Sequence, residues 1–324
     1  WRYYKGEKMK QRLLTGVAII AALILVFFSR TLTLYVFDAF IGIIAILASL
    51  EFSRLLTRTG YYNFAVIIGI FPTLFYIAFM LCSHFNLPLY LIMVIIVAIA
   101  LVLMLGLFLY SLIFKKRTLN EMNLRGVKTS LSTYSFQKAV QTLFGMFYPS
   151  FFLMLLVILN RCEELTYIFT KASGFKGTLS FFILLLAFLI PIITDTFAYL
   201  TGSVIKGKKL CPNISPNKTI SGAIGGVVWT VIVTAVLYLI FDTIGAYNTM
   251  FTSLHLEIWH IIILSVVASV ACQCGDIFES FLKRKAGVKD AGNLLPGHGG
   301  VLDRVDSHIF NAVIIFAFFL IFLL

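Results

Sequence analysis

The sequence predicts an all-α, polytopic integral membrane protein of about nine transmembrane helices, with a cytoplasmic N-terminus and an external C-terminus. Three observations carry this prediction. Of the 324 residues, 60% are hydrophobic and only 12% are charged, and mean hydropathy is +0.99. Soluble domains are about 45–50% apolar and about 25% charged, so most of this chain needs lipid as its solvent. The apolar residues also fall into nine separate segments, each near the ~20 residues that span a bilayer. Finally, the basic residues crowd into alternate connections between those segments.

The first segment, Leu13–Phe28, follows a flank containing Arg2, Lys5, Lys8, Lys10 and Arg12. That flank resembles a signal peptide's, but no small-x-small cleavage site comes after it, so the segment reads as a retained helix. The second, Leu32–Leu50, carries Asp38, expected to hydrogen-bond between helices. Tyr62–Cys82, Pro88–Phe114 and Lys138–Leu159 follow as long apolar runs. In the sixth, Leu179–Leu200, Pro191 lies four residues before Asp195. Its missing N–H frees the carbonyl of Ala187 and should kink the helix, with Gly202 offering a place to stop. Gly222–Phe241, Ile258–Glu279 and Ser307–Leu324 complete the set.

Net charge is +12. In a soluble chain that excess would raise nucleic acid as a partner; here its distribution points to the membrane instead. Counting the N-terminal flank and every second connection, 21 Lys and Arg fall on one side. The other side holds only Arg30, Arg161, Lys171 and Lys176. The positive-inside rule makes the rich side cytoplasmic. Residues 1–137 form an N-terminal membrane region of four helices and a basic loop. Residues 138–324 form a C-terminal membrane region of five helices that holds nearly all the unusual polar groups. The five cysteines fit neither a disulfide framework nor zinc spacing.

A carboxylate at mid-bilayer costs ~2.5–3.5 kcal/mol on insertion scales, so the acidic residues of the apolar segments lead to the chemistry. In the predicted orientation Asp195, Asp276 and Glu279 lie toward cytoplasmic helix ends, on the same side as loop residues Asp290, Asp303 and Asp306. Acidic groups at one depth beside basic loops describe a site for a divalent cation with a phosphate-rich ligand. Carboxylates capped by neighbouring Lys and Arg at the interface would give the same pattern. The sixth connection contains a near-match to a P-loop at residues 202–209, but Lys209 replaces the metal-binding hydroxyl and no strand precedes it. Ser215-Pro216-Asn217-Lys218-Thr219 is expected to open the seventh helix. With Gly222, Gly225 and Gly226 it either cradles phosphate or starts a tightly packed helix.

The eighth connection is the most informative stretch. From Ser280 to Asp306 it reads S-x-x-K-R-x-x-x-x-K-D-x-x-x-x-x-P-G-H-G-G-x-x-D-R-x-D. Pro296, Gly297, Gly299 and Gly300 shape a tight loop around His298. Asp303 and Asp306 are three apart, on one face if a helix starts there. Arg304, Lys283, Arg284 and Lys289 supply charge for phosphate oxygens. A two-carboxylate clamp beside a basic, glycine-rich loop fits phosphoryl or nucleotidyl transfer.

This stretch resembles the signature of the phosphatidate cytidylyltransferases (CDP-diacylglycerol synthases) at every fixed position. The resemblance extends to Gln273-x-Gly275-Asp276-x-x-Glu279-Ser280, to Asp195-Thr196-x-Ala198-Tyr199 and to Ser215-Pro216-x-Lys218-Thr219-x-x-Gly222. It therefore covers about the last 130 residues. Two positions depart from it: Ser221 stands where the family usually has an acidic residue, and Cys274 where it has an aliphatic one.

The resemblance implies transfer of CMP from CTP to phosphatidate at a cytoplasm-facing site in the cell membrane, by a homodimer using Mg²⁺ and a second, monovalent cation such as K⁺. Its metal-site carboxylates map onto Asp276, Asp303 and Asp306. With these, His298 and Lys289 are the candidate catalytic residues. Candidate substrate contacts are Lys218, Ser215, Thr219, Arg304, Lys283, Arg284, Asp195, Gly299 and Gly300. A CTP-dependent kinase of an isoprenoid alcohol shares parts of the CTP loop and is the alternative enzyme. A transporter is the alternative of another class, although no inverted repeat is visible.

Overall fold

A computed structural model describes residues 17, 18, 21–30, 32–172, 174, 175, 177–297 and 299–323. Eight helices among them are long and apolar enough to cross a membrane, and they coincide with the second to ninth apolar segments. The first segment lies partly outside the described residues; its helical stretch 21–29 is α1. Then come α2 (Leu34–Arg58), α3 (Ala65–His84), α4 (Leu89–Ile113), the short polar α5 (Lys115–Leu124) and α6 (Leu131–Gly145). A π-helical step, Met146–Phe151, joins α6 to α7 (Phe152–Asn160), so these form one span around Pro149. The C-terminal part contains α8 (Thr178–Ile205), strands β1 (Lys209–Cys211) and β2 (Ser215–Thr219), α9 (Ile220–Asp242), α10 (Gly245–Ser253), α11 (Ile258–Lys285) and α12 (Leu302–Leu323).

Four sequence expectations change at this level. Ser215–Thr219 does not open the seventh helix: it is β2, antiparallel to β1. Its ends pair with β1 at Lys209↔Thr219 and Cys211↔Ser215, and Thr219 instead caps α9, its Oγ1 accepting from Gly222 N–H at 3.1 Å. The hairpin adds a two-stranded sheet to an otherwise helical fold. Second, α8 does not stop at Gly202; it runs to Ile205, because Gly202 lets Thr219 and Gly222 approach it closely. Third, the carbonyl of Ala187 that Pro191 frees does not stay free. Asn311 of α12 donates Nδ2 to it at 2.7 Å. Fourth, Asp276 does not end its helix, since α11 continues past it to Lys285.

Small residues and hydroxyls hold the C-terminal helices together, as they must where lipid offers no hydrophobic drive. Gly222, Gly225 and Gly226 bring α9 against Ala198, Thr201 and Thr194 of α8, which is the packing reading of that glycine-rich start. Thr194 shares hydrogen bonds with Thr230 of α9 and Ser269 of α11 at 2.9 and 3.0 Å. One apolar core runs from Phe37 of α2 through Phe182 of α8 to Phe319 of α12, so both sequence regions contribute to it.

The two ends of the bundle differ in charge. At one end Arg161 pairs with Asp38 at 2.6 Å, and Asn160 donates to the same carboxylate at 2.9 Å. Arg30 donates to Asn160 at 2.6 Å. Asp38 thus serves as the expected interhelical link, but to a cation that the sequence reading left in a loop. Both ions are buried, so removing one partner would cost about 3–5 kcal/mol. At the other end the basic connections meet. Lys285 donates to Tyr61 Oη at 2.7 Å, Arg284 to the carbonyl of Ile214 at 3.1 Å, and Arg125 lies over the Tyr62 ring at 4.2 Å. The second, fourth, sixth and eighth connections therefore share one face, as the charge alternation requires.

Candidate active site

A cavity of about 870 Å³ opens at the basic end of the bundle, within the ~300–1,000 Å³ common for ligand sites. Its walls are the C-terminal half of α8, the β1–β2 hairpin, the first turn of α9, the middle of α11 and the first turns of α12. Asp195, Tyr199, Gly202 and Ser203 all line it from α8, at the three- and four-residue spacing that keeps one helical face in register.

Carboxylates from three helices line it. Asp195, Asp276 and Asp306 all face the cavity, and each of Asp195 and Asp306 feels the charge of Asp276. Gly275 permits this convergence. A Cβ at that position would meet the Asp306 carbonyl at 2.6 Å, so α11 and α12 can approach this closely only with glycine there. Ser307 connects two of the three elements, donating Oγ to Asp195 at 3.3 Å.

The cations of the cavity are distributed against these acids. Lys218 on β2 places its ammonium 2.6 Å from Asp276. Lys283 of α11 lies between two carboxylates, paired with Glu279 and 2.7 Å from Asp303. Asp303 also accepts the N–H groups of Ala291 at 2.9 Å and Gly300 at 2.8 Å. Its carboxylate therefore closes the motif loop while lining the same cavity as Asp195, Asp276 and Asp306. Among the described residues no three His, Cys, Asp or Glu side chains form a ready-made metal-ligand set. Asp276, Asp303 and Asp306, the carboxylates that the resemblance makes the metal site, all line this cavity, and Asp195 lines it with them.

The tight turn expected in the motif is present. Leu295 N–H donates to the Gly299 carbonyl at 2.9 Å, with Gly297 and Gly299 at φ of 76° and 84°, a conformation that favours glycine. His298 lies outside the described residues.

The profile of the cytidylyltransferase family matches residues 10–322. The chain belongs to the cytidylyltransferase family. It is 46% identical over 127 residues to the phosphatidate cytidylyltransferase of Staphylococcus epidermidis and 44% over 127 residues to that of Staphylococcus haemolyticus. Against that of Staphylococcus aureus it is 45% identical over 128 residues. These alignments cover 39% of this chain, and the chain spans 45% of the length of these relatives.

Of the residues expected at the site, Asp195, Lys218, Thr219, Asp276, Lys283, Asp303, Arg304 and Asp306 line the cavity. The others do not. Ser215 begins β2 beside Cys211, Arg284 braces the hairpin through Ile214, Lys289 is exposed away from the wall, and Gly299 and Gly300 shape the loop behind it. Asp290 does face the cavity. Sequence reasoning left Lys206 and Lys209 in a merely basic loop; the turn after α8 and β1 put both on the wall. Ser221, the departure from the family pattern, donates Oγ to the Lys206 carbonyl, which a carboxylate at that position could not do. Glu51 lies one residue beyond the second apolar segment, Leu32–Leu50, and inside α2.

Proposed function

We propose that this cytidylyltransferase moves CMP from CTP to phosphatidate, forming CDP-diacylglycerol and releasing pyrophosphate. The observation that carries the reading is the cavity itself: carboxylates and lysines interleaved at the ends of membrane-length helices, at the depth where a soluble triphosphate and a lipid phosphate can meet. The names of the relatives support the same substrates. The positive-inside rule supports a cytoplasmic face for this end in the cell membrane. Family resemblance supports a homodimer and a second, monovalent cation.

A phosphate oxygen of the lipid attacks the α-phosphorus of CTP, the α–β bridging P–O bond breaks, and pyrophosphate departs with its electron pair. A phosphomonoester has its second pKa near ~6, so the nucleophile is largely ionised at neutral pH and a general base is dispensable. Positioning and charge compensation dominate. Lys206, Lys209 and Arg304 on the wall bind phosphate oxygens, and Lys218 joins them as Asp276 is drawn to a cation.

Mg²⁺ suits the donors present. It prefers hard oxygen ligands and is commonly held by one or two carboxylates with substrate phosphates and water, so a three-carboxylate cage is unnecessary. Asp276 and Asp306 would hold it, with Asp195 alongside, and Asp303 would fix the loop behind them. Bound there, the ion would supply charge neutralisation of the triphosphate. Purified protein in detergent should release pyrophosphate only when CTP, phosphatidate and Mg²⁺ are all present; release without phosphatidate would contradict the proposal.

A further inference from the structure

Glu51 lies in α2, in the half of the chain that carries none of the family's motif residues, yet it is buried at the centre of the motif loop. Its Oε2 accepts the N–H of Leu302, 251 positions later, at 2.8 Å. Leu302 is the first residue of α12, where backbone N–H groups have no partner within the helix. The carboxylate also sits against two glycines of the loop. A Cβ on Gly292 would run into Glu51 Oε1, and one on Gly300 into Oε2. Glycine at 292 and 300 thus makes room for this side chain.

From the other side, Asp303 accepts from Ala291 and Gly300. The loop from 291 to 302 is therefore clamped between two carboxylates, one from each half of the chain. Asp306, one helical turn after Leu302, has its place set by that same helix start.

We infer that Glu51 is a positioning residue for the transfer reaction: it fixes the start of α12, and with it Asp306, from the N-terminal half of the protein. The catalytic part of this inference rests on the proposed cytidylyltransfer. The clamp itself does not, and the test keeps them separate.

Hydrogen–deuterium exchange on the purified protein in detergent reads the clamp without any substrate. Glu51→Ala should speed exchange in the peptide containing Leu302, whereas Glu51→Gln, whose amide oxygen can still accept, should leave it close to wild type. Transfer from CTP reads the consequence. Losing a charge-assisted hydrogen bond should lower kcat of Glu51→Ala by roughly ten- to a hundredfold, with KM for CTP little changed because the residue touches no substrate. Glu51→Gln should retain most of the activity. Gly300→Ala should be damaging alone and less so when combined with Glu51→Ala, since the colliding carboxylate is then gone.

Unchanged exchange in both Glu51 variants would overturn the clamp. Faster exchange with wild-type kcat would overturn the positioning role. A rise in KM for CTP alone, or strictly additive effects of Gly300→Ala and Glu51→Ala, would also count against it. Should the wild type transfer no CMP at all, the functional reading fails while the exchange data still decide the clamp.

Discussion

The ammonium of Lys218 and the carboxylate of Asp276 lie 2.6 Å apart across the cavity, one on the β1–β2 hairpin and the other in the middle of α11. Each is about a quarter exposed, so the pair is reached by water and can exchange partners. An arriving metal–triphosphate complex offers Lys218 a phosphate and Asp276 a cation, with little loss at either side chain.

Lys218→Ala should therefore impair use of CTP or phosphatidate without unfolding the protein. A charge-assisted hydrogen bond contributes ~1.5–3 kcal/mol, roughly ten- to a hundredfold in kcat/KM. Steady-state kinetics on detergent-extracted protein check this. Wild-type kinetics would return Lys218 to a purely structural partner of Asp276.

Asp303 and Asp276 should fail in different ways. Asp303→Asn weakens the acceptor for Lys283 and two loop amides, so it should lower the melting temperature, by about 1–3 kcal/mol of stability, along with activity. Its Mg²⁺ titration midpoint should stay near wild type. Asp276→Asn should keep its melting temperature and shift that midpoint upward. Thermal unfolding and Mg²⁺ titration of both variants decide, and the opposite assignment of the two phenotypes would restore Asp303 to the metal set.

Much of this was legible in the sequence. The spans followed from apolar segments, and the shared face of the basic connections from charge alternation, because both are properties of the bilayer rather than of any one contact. The motif placed Asp276, Asp303, Asp306, Lys218 and Lys283 in one cavity. Partner choice was not legible: spacing puts Asp303 and Asp306 on neighbouring turns, but only the folded loop shows Asp303 taken by Lys283, Ala291 and Gly300. Ser215–Thr219 carries capping residues and still forms a strand, since Thr219 alone performs the capping. Glu51 carried no local signal beyond a carboxylate near a helix end; its importance arises from a contact 251 residues away.

The α5–α6 corner gives a pH test remote from the cavity. Glu121 is paired with Lys138 at 2.8 Å and Arg125 at 3.0 Å. Burial pushes its carboxyl up, but hydrogen bonding and charge from Lys138 outweigh this, and the net shift is downward. A lowered folded-state pKa contributes stability that is present above the unfolded value, near ~4.3 for Glu, and is lost as pH falls through the folded value. Wild type should thus melt higher than Glu121→Gln at neutral pH, with the gap closing under strongly acidic conditions. A gap that widened on acidification would contradict the pairing.

Orientation can be read by labelling. In a background without Cys211 and Cys274, Asn123→Cys on the basic face should resist an impermeant thiol reagent in intact cells, while Thr252→Cys should react. Both positions are exposed. The reverse pattern would invert the proposed topology and place the cavity outside the cell.

The most direct test of the proposed reaction follows the phosphorus atoms of CTP. Purified protein is given phosphatidate, Mg²⁺ and CTP labelled at either the α- or the γ-phosphate, and lipid is then extracted. Transfer of CMP puts α-label into lipid and γ-label into pyrophosphate. Label in lipid from γ-labelled CTP alone would mean phosphoryl transfer, as in a kinase, and would contradict the account.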